Sequence, residues 1–286
     1  MNVILVPNPY RDKQFRYTLQ AKEVLEEIGA NVSVCLPFQT DRVFDVPDGL
    51  VFEDVQNKLD RCDILVCLGG DGTILHASKL AADKEIPILG INIGTLGFMA
   101  ELEASEISML KMLCEGKYSI EERMMLEVQV SSYGKKVYTE HALNDAVVTK
   151  GAVARVLQMR VCCNDAEVLS FSGDGVILGT PTGSTAYSLS AGGPVVEPTA
   201  KNILITPICA HGQNSGCFVT EPTRTISVSV DKIGRRNAFL SVDGGRAYRL
   251  ESTDIVTVTK SDRVTKLIRL KGQDFFRKVN RKFCNR

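Results

Sequence analysis

The chain has no net charge to offer a polyanion. Its 34 Lys and Arg balance 34 Asp and Glu over 286 residues. Without a uniform positive field, nucleic acid and acidic membranes are poor partners, and small neutral or chelated ligands fit better. No apolar run approaches the roughly 18 residues that a membrane helix needs. The apolar start, Met1 to Pro9, has neither a basic leader nor a small-residue cleavage site, so a cytoplasmic protein is expected. Nine cysteines include no C-x-x-C pair, which argues against zinc ribbons and thioredoxin-like redox sites. Most sit among apolar neighbours, as Cys35 and Cys67 do, where a thiol serves as a small hydrophobe in a reducing compartment. Two nucleotide signatures are also missing. There is no G-x-x-x-x-G-K-[ST] and no G-x-G-x-x-G, which turns the reading away from Walker-type NTPases and common dinucleotide-dependent dehydrogenases. Internal repeats and low-complexity linkers are absent as well.

What is present is about two domains' worth of chain, at roughly 150 residues each. With 44% hydrophobic residues, global disorder is excluded. Residues 1–115 alternate apolar β-type runs (Asn2 to Val6, Asn31 to Leu36, Asp63 to Leu68, Ile86 to Ile91) with helical spacings at Asp12 to Ile28, Thr73 to Ala82 and Glu103 to Cys114. That rhythm predicts a parallel sheet covered by helices. Near Gly116 the period changes to two. Hairpins are expected around Tyr133-Gly134 and Asn164-Asp165, with further strands at Thr225 to Val230, Ala238 to Val242 and Asp254 to Thr259. The expectation is an α/β domain over 1–115, a β-rich domain over 116–265 and a C-terminal segment over 266–286. From Arg263 onward the chain carries nine basic groups against one acidic, with a helical apolar edge at Phe275, Phe276, Val279 and Phe283, and reads as a basic surface helix or tail.

Four stretches carry chemistry. Gly69-Gly70-Asp71-Gly72-Thr73 lies between a strand and a helix, where glycines let a phosphate approach the backbone and a helix start offers free N–H groups. A carboxylate would repel phosphate there unless it has other work, such as taking a proton from an attacking hydroxyl, which makes Asp71 the first catalytic candidate. Asn92 to Phe98 is a second glycine-bearing loop after a parallel strand, expected on the same sheet edge. Asp174-Gly175 is followed by Thr180 to Gly193, where dense hydroxyls suit ribose and base edges. Asn144-Asp145 sets an amide beside a carboxylate, a pair able to chelate the two hydroxyls of a ribose.

Taken together, these motifs resemble the NAD kinase family over residues 64–196. The Gly-Gly-Asp-Gly-Thr element alone is shared with diacylglycerol-type lipid kinases and approximately with phosphofructokinases. A lipid kinase, a sugar kinase and a non-catalytic dinucleotide sensor are therefore the rival readings. The resemblance implies an α/β domain plus a β-rich domain with the active site between them, the C-terminal segment packed back on the first domain, and a homodimer or homotetramer. It implies phosphoryl transfer from ATP or polyphosphate, carried with Mg²⁺, to the 2′-hydroxyl of the adenosine ribose of NAD, giving NADP. Asp71 would be the general base, and Gly69, Gly70 and Thr73 would form the phosphate loop. Gly72, His76, Asn144, Asp145, Arg155, Asp174, Thr185, Ala186, Tyr187, Ser188, Leu189 and Ser190 would meet the dinucleotide. This chain departs from the family pattern in having Asp145 where Glu is commoner, Ala210-His211-Gly212-Gln213 and Cys217-Phe218 in place of Pro-His-Ser-Leu and Arg-Pro, and Gly245 after Asp243-Gly244.

Overall fold

The computed structural model describes residues 1–37, 44–95, 97–151, 155–212, 216–231, 237–272 and 275–284. Leu96 of the second glycine loop, Ala154 beside Arg155, and Gln213 lie outside the described residues. The chain forms two units, one of residues 1–122 and 264–286, the other of residues 123–263.

In the first unit, short β-branched and leucine-rich runs form a parallel sheet in the order Asn31–Val34, Asn2–Pro7, Ile64–Gly69, Ile88–Asn92, joined through Leu267 opposite Ile88 by the end of a long strand, Asp254–Arg269. Every residue of Ile64–Gly69 and of Ile88–Asn92 is buried, as expected for strands covered on both faces. Helix Arg16–Glu27 contributes Ala21 and Leu25 to the core, and helix Asp71–Ala81 contributes Ile74, Ala77 and Ala81. Gly90 admits the second of these helices, since a β-carbon there would stand 2.4 Å from Ile74 Cδ1.

Local detail departs from periodicity in three places. The spacing from Asp12 predicts one helix, but Gln14 and Phe15 take φ near +52°, splitting a 3₁₀ turn, Lys13–Phe15, from the helix proper. Buried Asp12 accounts for this: its carboxylate takes the N–H groups of Tyr17 (3.0 Å) and Thr18 (2.9 Å) and the Thr18 hydroxyl (2.6 Å). The stretch expected to be helical from Glu103 is a 3₁₀ helix, Ala104–Leu113, capped reciprocally by Glu103 and Glu106. The strand expected over Asp254 to Thr259 continues through the start of the basic tail to Arg269, while the helical edge at Phe275 to Phe283 forms the helix Phe275–Cys284.

The second unit is built of antiparallel strands. One sheet runs Phe218–Thr220, Ile203–Ile208, Gly175–Gly179, Asp145–Lys150, Ala238–Val242, Tyr248–Leu250. Against it pack Leu157–Cys163, Ala166–Gly173, Ile226–Asp231 and the first part of Asp254–Arg269. Their inward alternate residues, among them Val148, Met159, Val176, Ile205, Val228 and Leu240, share one core. Both expected hairpins form, with positive φ at Tyr133 and Gly134 and at Asn164 and Asp165.

Candidate active site

The strand Ile64–Gly69 delivers the chain to Gly70, and Asp71 opens the next helix from its first turn. Gly69 is needed because Thr73 folds back on it: a β-carbon at 69 would lie 2.2 Å from Thr73 Oγ1, which accepts from Asn8 Nδ2 at 3.2 Å. Gly70 faces Arg11, whose Nη1 would be 3.2 Å from a β-carbon at 70, and Gly94 faces the same nitrogen at 3.2 Å. Gly72 has open space where a side chain would be. The Asp71 carboxylate accepts the N–H groups of Phe98 (2.8 Å) and Met99 (3.0 Å), so the two glycine loops meet at this side chain. Ile93 N–H donates to the Gly69 carbonyl (2.8 Å), and Asn92 Nδ2 donates to Glu103 and to the Gly94 carbonyl, holding the second loop in place. His76 lies further along the Asp71 helix, exposed.

The loop that binds Asp71 is clamped from behind by the basic tail. Arg269 donates to the Met99 carbonyl (3.0 Å) and pairs with Glu121 (2.7 Å) and with buried Glu101 (3.4 Å). Glu101 in turn accepts the N–H groups of Leu270 and Lys271. Lys278 donates to the Ala100 carbonyl at 2.7 Å, and Lys282 stands 4.2 Å from the centre of the Phe98 ring, which also contacts Phe275 and Phe283. These basic groups, read from the sequence as a solvated face, have internal work.

In the second unit, Asn144 and Asp145 sit where the strand Asp145–Lys150 begins. Asp243, in a tight turn at φ 50°, takes three backbone N–H groups there: Leu143 (2.8 Å), Asn144 (2.8 Å) and Asp145 (3.0 Å). The Thr180 hydroxyl donates to the Leu143 carbonyl at 2.6 Å, and Gly183 packs directly on Asn144, whose carbonyl a β-carbon would meet at 2.1 Å. The side chains of Asn144 and Asp145 have no hydrogen-bond partner among the described residues. Burial first, and the Asp243 charge second, push the Asp145 carboxyl up from 3.8 to about 7.

The hydroxyl-rich block divides in two. Thr180, Ser184 and Ser188 are fully buried and engaged inside the protein, Ser184 with Val196 and Ser188 with Thr206 at 2.8 Å. Thr182 accepts from Arg123. Thr185 and Ala186 are half-buried, Leu189 likewise, and Tyr187 and Ser190 are exposed. Asp174 is not beside Asn144. It lies beyond the opposite end of the strand Gly175–Gly179, six residues along the ladder and on the order of 20 Å away at ~3.3 Å per residue. There it pairs with Lys150 Nζ at 2.7 Å. Arg155 is exposed just before the strand Leu157–Cys163. At the points of departure, His211 bonds through its backbone to Ser172, Gly212 takes φ +134°, and exposed Gly245 closes the Asp243 turn onto Val242. No local sequence signal places Arg11 beside Gly70 and Gly94 or Lys150 beside Asp174, and Asp243 enters the sequence pattern only through its Asp-Gly turn, with no partner indicated.

Comparison with known proteins defines the class. Residues 3–118 match the family model for the ATP-NAD kinase N-terminal domain, and residues 143–270 that for the ATP-NAD kinase C-terminal domain. The chain belongs to the NAD kinase family. It is 37% identical over 287 residues to an NAD kinase of Acetivibrio thermocellus, covering 100% of this chain and 98% of that one. It is also 37% identical to an NAD kinase of Caldanaerobacter subterraneus, covering 99% and 98%. Among solved structures it is similar to yeast NADH kinase complexed with NADH, with a TM-score of 0.84, 26% identity and coverage of 98% and 86%. An NAD kinase from Archaeoglobus fulgidus in complex with ATP shares the fold, with a TM-score of 0.71, 24% identity and coverage of 97% and 96%.

Proposed function

We propose that this chain phosphorylates the 2′-hydroxyl of the adenosine ribose of NAD, using ATP or polyphosphate, with Asp71 as general base. The observation that carries the reading is the fixed Asp71 carboxylate, held by two amides at a helix start beside a glycine pair. A carboxylate with several acceptor sites retains capacity for a hydroxyl proton after accepting two N–H bonds. The amides of the first helical turn, with Gly69, Gly70, Gly72 and Thr73 around them, give the phosphate loop its partial positive charge.

In the reaction, the ribose oxygen bonds to the γ-phosphorus. The bond to the β-phosphate oxygen breaks, leaving its electron pair on that oxygen, and the hydroxyl proton passes to Asp71. Alignment and charge neutralisation supply most of the acceleration. No group of three or more His, Cys, Asp or Glu among the described residues could hold a metal ion. In this reading a divalent cation such as Mg²⁺ is carried by the donor phosphates, whose charge it would neutralise.

Asn144 and Asp145 are suited to a ribose diol, since their side chains are uncommitted while Asp243 fixes their backbone. Thr185, Ala186, Tyr187, Leu189 and Ser190 supply accessible surface for the dinucleotide, and Ser188 shapes that surface from within. Asp174, His76 and Arg155 are assigned to its remoter parts. A homodimer or homotetramer in the cytoplasm belongs to the same reading, and sedimentation tests the assembly. No helix among the described residues is long and apolar enough to cross a membrane.

The test is direct: purified protein with NAD, Mg²⁺ and either ATP or polyphosphate, NADP being read enzymatically. Formation of NADP with either donor is the expected result. Consumption of ATP with diacylglycerol or a sugar phosphate, but not with NAD, would replace this reading with one of its rivals.

A further inference from the structure

We propose that Arg11 grips the transferring phosphoryl group of the donor, a role that rests on the kinase reading above. Gly70 and Gly94 come from different loops, yet a β-carbon on either would stand 3.2 Å from the same atom, Arg11 Nη1. The guanidinium thus lies against bare backbone from both loops that converge on Asp71. Larger residues at 70 or 94 would crowd it.

The stem of this residue is fixed while its head is free. Arg11 and Asp12 N–H both donate to the Asn8 carbonyl (3.0 and 2.9 Å), Asn8 N–H donates to Leu68 (2.8 Å), and the buried Asp12 carboxylate ties the turn to Tyr17 and Thr18. The exposed Arg11 side chain has no hydrogen-bond or ion-pair partner among the described residues, in contrast to Arg269, which is committed to two carboxylates. A guanidinium has five donors and no acceptor, and its planar fork matches two phosphate oxygens at once. No internal ion pair has to break before it binds.

Its position selects the phosphate. Gly70 precedes Asp71 directly, and the phosphorus attacked by a hydroxyl on Asp71 lies one bond from that hydroxyl oxygen. The group nearest the Gly70 backbone is therefore the one in transit. Arg11 exchanges no proton. It offsets charge on the equatorial oxygens while the P–O bond to the β-phosphate breaks and the new P–O bond forms.

The experiment compares wild type, Arg11→Ala and Arg11→Lys by steady-state kinetics with ATP and NAD varied separately. Calorimetric binding of Mg-ATP and of inorganic tripolyphosphate is measured in parallel. For Arg11→Ala, KM for ATP and both calorimetric Kd values should rise by about 10- to 100-fold, the scale of charge-assisted phosphate contacts. The kcat should fall about tenfold or more, KM for NAD should stay within about twofold, and the melting temperature should hold because the side chain is exposed. Arg11→Lys should recover only part, since a point charge lacks the fork. Unchanged ATP parameters, or a rise in KM for NAD instead, would overturn the role. Should wild type make no NADP, the kinase reading falls, while equal Mg-ATP and tripolyphosphate affinity in wild type and Arg11→Ala would separately sink Arg11. Absence of all phosphate binding in wild type would remove both.

Discussion

Gly97 lies against Asp71 so closely that a β-carbon at position 97 would stand 2.2 Å from Oδ1 and 2.7 Å from Cγ. The carboxylate occupies the space that any other residue would fill, and it does so while bonded to the next two amides of the same loop. Gly97→Ala should push Asp71 off those amides. A kcat at least tenfold lower and a loss of about 1–3 kcal/mol, the usual cost of overpacking, are expected from kinetics and urea melts. Full activity would mean that the position of Asp71 is not critical.

Asp71→Asn tests the base itself. The amide keeps one acceptor for Phe98 or Met99 but cannot take a proton, so kcat should drop by about 100-fold or more while NAD affinity, read by calorimetry, stays within about twofold. A variant turning over at the wild-type rate would exclude Asp71 as the base.

If Asp145 holds the ribose as proposed, NAD binding should depend on pH. With its carboxyl pushed up to about 7 by burial and by Asp243, the ionised form that accepts ribose hydroxyls is lost below neutrality. KM for NAD should therefore rise by up to about tenfold per pH unit below 7, and Asp145→Asn should flatten the profile. Stability runs the other way. Because the folded value exceeds the unfolded one, near 3.8, the native state binds this proton more tightly. Its contribution is fully present below about pH 4 and is lost as pH rises through about 7. The wild-type melting temperature should thus fall more steeply than that of Asp145→Asn between pH 4 and 7. Parallel melting curves would contradict the shift.

Asp243→Ala removes the acceptor of three backbone N–H groups at once. A loss of about 2–4 kcal/mol in chemical denaturation is expected. In addition, the pH profile of NAD binding should move to lower pH as the like charge beside Asp145 disappears. A stability loss without that movement would leave Asp243 a purely structural residue.

Cys35 and Cys67 should resist alkylation. Burial pushes the Cys35 thiol up to about 12 and that of Cys67 higher still. Mass spectrometry after brief iodoacetamide treatment of native protein should find label at exposed Cys114, Cys209 and Cys217, and at Cys35 and Cys67 only after unfolding.

Much of this was legible in the sequence because it is written locally. A strand ending at Gly69 with a helix opening at Asp71, hairpins pinned by Tyr133-Gly134 and Asn164-Asp165, and an apolar alternation in Ala238 to Val242 each carry their own signal. The pairing of Gly97 with Asp71, 26 positions apart, has no period to betray it. The same holds for Arg11 beside Gly94 and for Asp243 under Asn144. The tail misled for a related reason. Arg269 and Lys278 look solvent-facing by composition, and only tertiary contact shows that they hold the Met99 and Ala100 carbonyls. The hydroxyl block divides in a way the sequence does not mark, because a Ser braced inside the protein and one left at the surface are the same residue on the page, as buried Ser188 and exposed Ser190 illustrate.

The first unit is discontinuous: residues 1–122 are completed by residues 264–286. A ribosome translating this message makes Asp71 before the second unit and Arg269 and Lys278 after it. Until the second unit has been synthesised, a nascent chain has no Arg269 or Lys278 to secure the Met99 and Ala100 carbonyls of the loop that holds Asp71.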